Sequence, residues 1–201
     1  MRRTTLIFAV PAVLLLAACT SAPTDYDIDI PGLDPAPTAS EEPTSNPWLI
    51  EFDHVGPVII DIPMSELGGR LPGLQIEDYG GGYCGTGYWP DAELPLGSMG
   101  VLAESQGIQG PVDRVFVGVG DTSTGEPRTE TGIGVGSTRN DVLAAYPGVE
   151  ESPHTYVQGG SYLDVENGSG LAMRFLTDES GVVDGIIVGR IPQVYYIEGC
   201  L

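Results

Sequence analysis

Gly132-Ile-Gly-Val-Gly-Ser-Thr-Arg-Asn-Asp-Val-Leu-Ala-Ala-Tyr-Pro-Gly148 is the stretch on which the reading of the fold turns. Ile133 and Val135 alternate with glycines and predict a short strand with one narrow apolar edge. Ser137 or Thr138 can cap a helix. Asp141, three residues after Thr138, completes a capping box with Asp in the usual place of Glu. Val142, Leu143 and Tyr146 give that helix an apolar face, and Pro147-Gly148 ends it. The same order recurs in weaker form at Pro57-Val-Ile-Ile-Asp-Ile-Pro-Met-Ser-Glu-Leu-Gly-Gly-Arg-Leu-Pro-Gly73.

The two Pro-Gly stops lie 75 residues apart, and at that offset Val58 matches Ile133, Ile60 matches Val135 and Leu67 matches Val142. Further on the offset becomes 71: Val112-Asp113 through Val117-Gly118 matches Val183-Asp184 through Val188-Gly189. Two matched blocks in the same order point to an internal repeat. Downstream of the second helix, Tyr162–Val165 and Leu171–Phe175 flank Asn167-Gly168, which predicts a hairpin. In the first unit, strands are expected near Tyr88-Trp89, Met99–Ala103 and Val112–Val119, and Gln193–Ile197 forms a final strand or tail. The expected fold is therefore α+β: two tandem helix-plus-antiparallel-meander repeats in one domain, repeat one about 52–120 and repeat two about 130–201, preceded by a disordered tether.

The N-terminal residues bear on compartment. Arg2 and Arg3 precede an apolar run, Leu6 to Leu16, too short to span a bilayer as a mature helix. Leu16-Ala-Ala-Cys19 follows. That tetrad resembles the lipobox of bacterial lipoproteins, which implies a signal peptide over 1–18, lipidation of Cys19 and a mature chain anchored in the membrane without crossing it. Two acyl chains are what stable anchoring requires. Residues 19–47 are rich in Pro, Thr, Ser, Asp and Glu and read as a lipid-anchored disordered linker, with the folded domain over 48–201. Asp25-Tyr-Asp27-Ile-Asp29 fails the EF-hand pattern, with Ile30 in place of the turn glycine and Ala36 in place of the last acid.

Composition narrows the functions. The 201-residue chain holds 28 acidic residues against eight basic ones, a net charge of −20. All eight are arginine. Such a surface repels nucleic acid and attracts cations or a basic partner. Without lysine there can be no P-loop, no pyridoxal Schiff base and no Ser-x-x-Lys site. Glu166-Asn-Gly168-Ser-Gly170 lacks the first glycine of a nucleophile elbow. Gly132-x-Gly134-x-Gly136 is not the dinucleotide fingerprint. His54 and His154 lack metal-spaced partners. No catalytic residue, metal or cofactor is expected.

With Cys19 lipidated, Cys84 and Cys200 remain, and an exported chain permits their pairing. Free thiols are the alternative. Tyr79, Tyr83, Tyr88 and Trp89 surround Cys84 between glycine runs, which predicts a loop or an irregular edge. Tyr83, Tyr88 and Trp89 are the candidate partner-binding residues, since aromatic anchors dominate protein interfaces; the alternative is that these rings pack over the disulfide and the sheet.

Gly136-x-Thr138-x-x-Asp141-Val142, then a hairpin, then a strand like Val183–Val188, resembles the small outer-membrane-assembly lipoproteins and the β-lactamase-inhibitor proteins. The resemblance covers the folded part loosely and 132–148 best. In the first unit Pro63 replaces the capping Thr and Gly68-Gly69 weaken the helix, which departs from the pattern. The lipobox and the lysine-free composition also resemble actinobacterial exported lipoproteins. These resemblances imply a non-enzymatic protein-binding or structural module of the cell envelope, held to the membrane through Cys19 and meeting an envelope protein. The alternatives are a wall- or carbohydrate-binding module, and a hydrolase using a carboxylate pair.

Overall fold

The computed structural model describes residues 48–89, 99–118 and 127–200. The signal peptide, Cys19, the linker and most of the segment joining the expected repeats lie outside the described residues. Among the described residues, twelve strands form two sheets. The small sheet has the order β3-β2-β1-β8, from strands of two residues each: β1 Leu49–Ile50, β2 His54–Val55, β3 Val58–Ile59 and β8 Arg128–Thr129. The large sheet runs β4-β5-β6-β7-β12-β11-β10-β9, antiparallel throughout. Its strands are β4 Gln75–Tyr79, β5 Cys84–Tyr88, β6 Met99–Ala103, β7 Arg114–Gly118, β9 Glu150–Pro153, β10 Ser161–Glu166, β11 Leu171–Thr177 and β12 Val183–Arg190.

This corrects the α+β expectation of two helix-plus-meander repeats: the fold is mostly β. The two helices, α1 Met64–Arg70 and α2 Arg139–Ala145, have seven residues each. That is about two turns, too short to make a layer. α1 buries Met64 and Leu67, and α2 fully buries Val142 alone. Strand residues supply most of the core: Val101, Val115, Val117, Leu163, Phe175, Ile186 and Val188, with Ile50, Val55 and Val58 from the small sheet.

Local chemistry explains the helices that do form. Thr138 Oγ1 accepts the Asp141 amide at 3.2 Å, and Asp141 Oδ2 accepts the Thr138 amide at 2.8 Å, a complete capping box. α1 has no side-chain cap, since Pro63 stands at its start. It is held by packing instead. A Cβ on Gly68 would lie 3.3 Å from Ile76 Cδ1, so the glycine lets the helix lie close on the sheet.

Three other expectations change. Ile133–Val135 is a turn with a single bridge, Arg128 to Gly134, because alternating glycines leave little side-chain area for a strand to pack over. The β10–β11 hairpin closes after Glu166↔Ala172, so its loop is longer than Asn167-Gly168; Asn167 Oδ1 accepts the Ser169 amide at 2.8 Å within it. Cys84–Tyr88, expected as a loop or an irregular edge running into a strand near Tyr88-Trp89, is strand β5 throughout. Gly85 and Gly87 give it no β-forming side chains, but a Cβ at Gly85 would lie 2.9 Å from Met64 Sδ and 3.0 Å from the Ile108 amide, and one at Gly87 3.3 Å from Leu74, so the glycines allow close packing.

Alternation fixes the two faces of the large sheet. Met99, Val101, Val115, Val117, Met173, Phe175, Ile186 and Val188 point to the core. Glu77, Tyr88, Leu102, Arg114, Phe116, Ile187, Arg174, Tyr162 and Asp164 fall on the other face. The C-terminal segment crosses that second face. Val194, in a 3-10 turn over Gln193–Tyr195, is buried against Ala172 and Ile187, and the chain then reaches Cys200, which is disulfide-bonded to Cys84 with Cα atoms 5.5 Å apart.

Candidate binding site

Two buried arginines hold this C-terminal strap. Arg114 Nη1 donates to the Tyr196 carbonyl at 2.6 Å, and Arg174 Nη1 donates to the Tyr195 carbonyl at 3.1 Å. Each also pairs with an acid. Arg114 Nη2 meets Glu104 Oε1 at 2.7 Å. Arg174 meets Asp164 in a fork, Nε to Oδ1 at 2.7 Å and Nη2 to Oδ2 at 2.8 Å. Its guanidinium carbon lies 4.3 Å from the Tyr162 ring centroid and 4.8 Å from that of Tyr195. At Gly199 a Cβ would lie 2.6 Å from Leu102 Cδ2 and 2.7 Å from Arg114 Nη2, so the glycine lets the strap pass close over both side chains as they stand.

Where the strap meets the β4–β5 turn there is a cavity of about 380 Å³, lined by Gly80, Tyr83, Cys84, Glu104, Tyr196, Glu198 and Cys200. Tyr83 is 78% exposed and Tyr196 45%. The inner end is formed by Cys84, 5% exposed, and by the Glu104 side chain, 8% exposed. Burial pushes the Glu104 carboxyl above the ordinary range; the Arg114 charge opposes that shift, with a smaller pull from the Cys200 amide. Glu104 Oε2 has no hydrogen-bond partner. Glu198 is exposed and accepts a hydrogen bond from the Tyr156 hydroxyl.

The structure separates the three aromatic residues named from sequence. Tyr83 sits in the turn and lines the cavity. Tyr88 lies on β5 and donates to Glu77 Oε1 at 2.7 Å; Tyr79 donates to the other oxygen of Glu77, also at 2.7 Å. These bonds hold the Glu77 carboxyl below its usual range, Tyr79 first and Tyr88 second. Trp89 packs partly against the core, and its Nε1 donates to the Pro72 carbonyl at 3.3 Å. Glu104 and Glu198 went unnamed because no spacing connects them to Tyr83. The predicted Cys84–Cys200 pairing was the available signal: it puts residues just before Cys200 beside the Tyr83 turn.

A second cavity of about 480 Å³ is lined by Gly148, Glu150, Asp164, Glu166, Arg174 and Tyr195. Arg174 is already spent on Asp164, and the Tyr195 hydroxyl donates to Glu166 Oε1 at 2.6 Å, so this network is internally satisfied. Glu51, Asp53 and His54 also place one ligand atom each within 4.8 Å of one another. The imidazole lies between the carboxylates, Nδ1 2.8 Å from Asp53 and Nε2 3.9 Å from Glu51. Opposite ring nitrogens face opposite ways, so the group reads as a histidine between two exposed acids.

The sheet's outer strands discourage pairing with another chain. β9 is Glu150-Glu-Ser-Pro153, fully exposed, with two charges and a proline; β4 carries Glu77 and Asp78. Both are ordinary protections of an edge.

No family model matches the chain, and no curated protein matches it. One solved structure similar to part of it is an extracellular protein containing a SCP domain from Bacillus anthracis str. Ames, at 10% identity and a TM-score of 0.38. The match covers 66% of this chain and 44% of that one, and likeness at this level assigns neither fold nor function. Among the described residues no helix is long and apolar enough to cross a membrane.

Proposed function

We propose that this chain is a lipid-anchored protein on the extracytoplasmic face of the membrane and that it works by binding another envelope protein, without catalysis. The observation that carries the reading is the group of exposed rings beside the disulfide, Tyr79 and Tyr83 at the β4–β5 turn and Tyr196 on the strap that two arginines and Cys84 hold in place. Rigid aromatic anchors on a pre-organised scaffold lose little entropy on binding. Edge-strand addition is disfavoured by the acids and proline of β4 and β9, which leaves side-chain contacts as the mode of recognition. The lipobox-like Leu16-Ala-Ala-Cys19 supports the anchor and the compartment.

The test is photo-crosslinking in the producing cell, with the crosslinker placed at residue 81 in the β4–β5 turn. A single adduct that disappears in the Tyr83→Ala/Tyr196→Ala double variant supports the reading. Adducts unchanged by that variant refute the site. A second reading, a wall- or carbohydrate-binding module, is favoured by the same exposed rings, which could stack on sugars. Retention of the chain on insoluble cell wall, lost in the same variant, would decide for it.

A further inference from the structure

We propose that His154 is a pH-sensitive latch: uncharged, it holds the loop 155–160 closed and Tyr156 against the C-terminal strap, and on protonation it releases both. The inference does not depend on the protein-binding reading above.

The loop joins β9 to β10. Its ends meet where the His154 amide donates to the Gly160 carbonyl at 3.0 Å. Inside it, one ring nitrogen holds two amides. His154 Nδ1 accepts from Tyr156 at 3.1 Å and from Val157 at 3.0 Å. A ring nitrogen that accepts carries no proton, so the imidazole is neutral with its proton on Nε2. An imidazolium donates at both nitrogens and accepts at neither. Charging the ring therefore sets a third donor against two amides, and the three cannot stay together. Stacking on Tyr162, with centroids 4.4 Å apart, keeps the ring in that place while the loop is closed.

The groups around the ring decide what it turns to. Burial raises the Asp184 carboxyl of β12 above its ordinary value, and its own amide and a charged His154 pull it back, so the two side chains feel each other. Asp178, in the β11–β12 turn, adds negative charge beside Asp184. The Glu179 backbone borders the loop at Gly159. Arg174 of β11 lies 4.3 Å from the same Tyr162 centroid, but its charge is paired with Asp164. A charged His154 thus has acids to attract it and two donors to repel it. The loop is the part that yields: Tyr156 is exposed and Val157 half-buried, so little packing resists. Tyr156 also carries the tie to the strap, since its hydroxyl donates to Glu198. Opening the loop withdraws that donor and loosens the strap at 197–199.

The test is NMR of the isotope-labelled, oxidised full chain, titrated from about pH 8 to about pH 5, the range in which histidine ordinarily changes charge. The chain has two histidines, so His154 is assigned against His54 alone. The Nε2-H tautomer is expected at the upper end. The Tyr156 and Val157 amide shifts should follow the His154 ring carbons on one curve, with exchange protection of both falling about fivefold or more, as loss of about one net hydrogen bond each predicts. Amides 197–199 should follow that curve in the wild type and not in Tyr156→Phe. His154→Asn supplies an acceptor that does not titrate, in the manner of Asn167, whose Oδ1 holds the amide of Ser169 at 2.8 Å. In that variant the loop should stay closed and the response disappear, while the carboxylates still titrate. The proposal is overturned by an Nδ1-H tautomer, by an imidazole that stays neutral over the whole range, or by loop amides that do not move as His154 charges. A response that persists in His154→Asn, or strap amides that respond equally in Tyr156→Phe, would overturn it as well.

Discussion

Breaking the Cys84–Cys200 bond should destabilise the fold and free the strap first. The bridge spans 116 residues of sequence. The chain-entropy relation gives about 4.9 kcal/mol for a loop of that size, and measured losses are commonly about 2–4 kcal/mol. Against a domain stability of about 5–15 kcal/mol this is a large share. A domain of this size loses about 2–4 °C of Tm per kcal/mol, so a drop of about 5–15 °C is expected. The strap does not depend on the disulfide alone. Val194 is fully buried, and Arg174 and Arg114 still hold the Tyr195 and Tyr196 carbonyls. The reduced chain should therefore remain folded, with hydrogen-exchange protection lost over residues 196–200 and kept over β7, β11 and β12. The assay is thermal and urea denaturation of the oxidised chain and of a Cys84→Ala/Cys200→Ala variant, with native-state exchange on both. An identical midpoint in the two would refute the reasoning. So would uniform loss of protection, which would mean the strap is integral to the core.

Other outcomes follow from local geometry. Arg174→Met should cost about 3–5 kcal/mol in urea denaturation, because it strands Asp164 and breaks the stack between Tyr162 and Tyr195; a loss below about 1 kcal/mol would show the pair to be solvated. Glu151, paired with Arg139 and accepting from the Ser161 hydroxyl, titrates at about 2, below the ordinary 4.5. Its folded value is depressed, so its contribution is present above about pH 4.5 and is lost as pH falls toward 2; carboxyl NMR on wild type and Arg139→Gln checks both value and cause. Burial first, and the bond to Glu166 second, push the Tyr195 phenol above 10.0, so its contribution is full below pH 10 and fades as pH rises beyond it; ultraviolet titration should show one tyrosine absent from the ordinary transition. Thr138→Ala should cost about 1 kcal/mol through loss of the cap on α2. On the proposed anchoring through Cys19, Cys19→Ala should move the chain from the membrane to the soluble fraction and abolish incorporation of labelled fatty acid.

How much was legible beforehand can be followed residue by residue. Thr138 and Asp141 announce a helix start because a capping box involves neighbours three apart, and nothing distant competes for those groups. The cysteine arithmetic left a single pairing, and the structure forms it. Strand identity was harder. Val115 and Val117 are read easily, but Cys84-Gly-Thr-Gly-Tyr88 is a strand only because β4 and β6 pair with it and because Met64 and Leu74 fill the space beside its glycines. The helices were overweighted for another reason: the start and the Pro147-Gly148 stop of α2 are legible, but only the packed sheet shows how little of the core two seven-residue helices carry. Trp89 illustrates the limit for sites, since its sequence neighbours are Tyr88 and Pro90 while its indole is tied to Pro72 and the core.

The sequence by itself determined the charge, the absence of lysine chemistry, the capped helix and the two cysteines available to pair, all properties of composition or of residues a few positions apart. Tertiary structure alone decided that the chain is mostly β and that Tyr83, Glu104 and Glu198 meet. Those residues share no local spacing; they converge because the strap crosses the sheet and is fastened at Cys84, and a contact made by folding back over a hundred residues leaves no periodic trace in the chain.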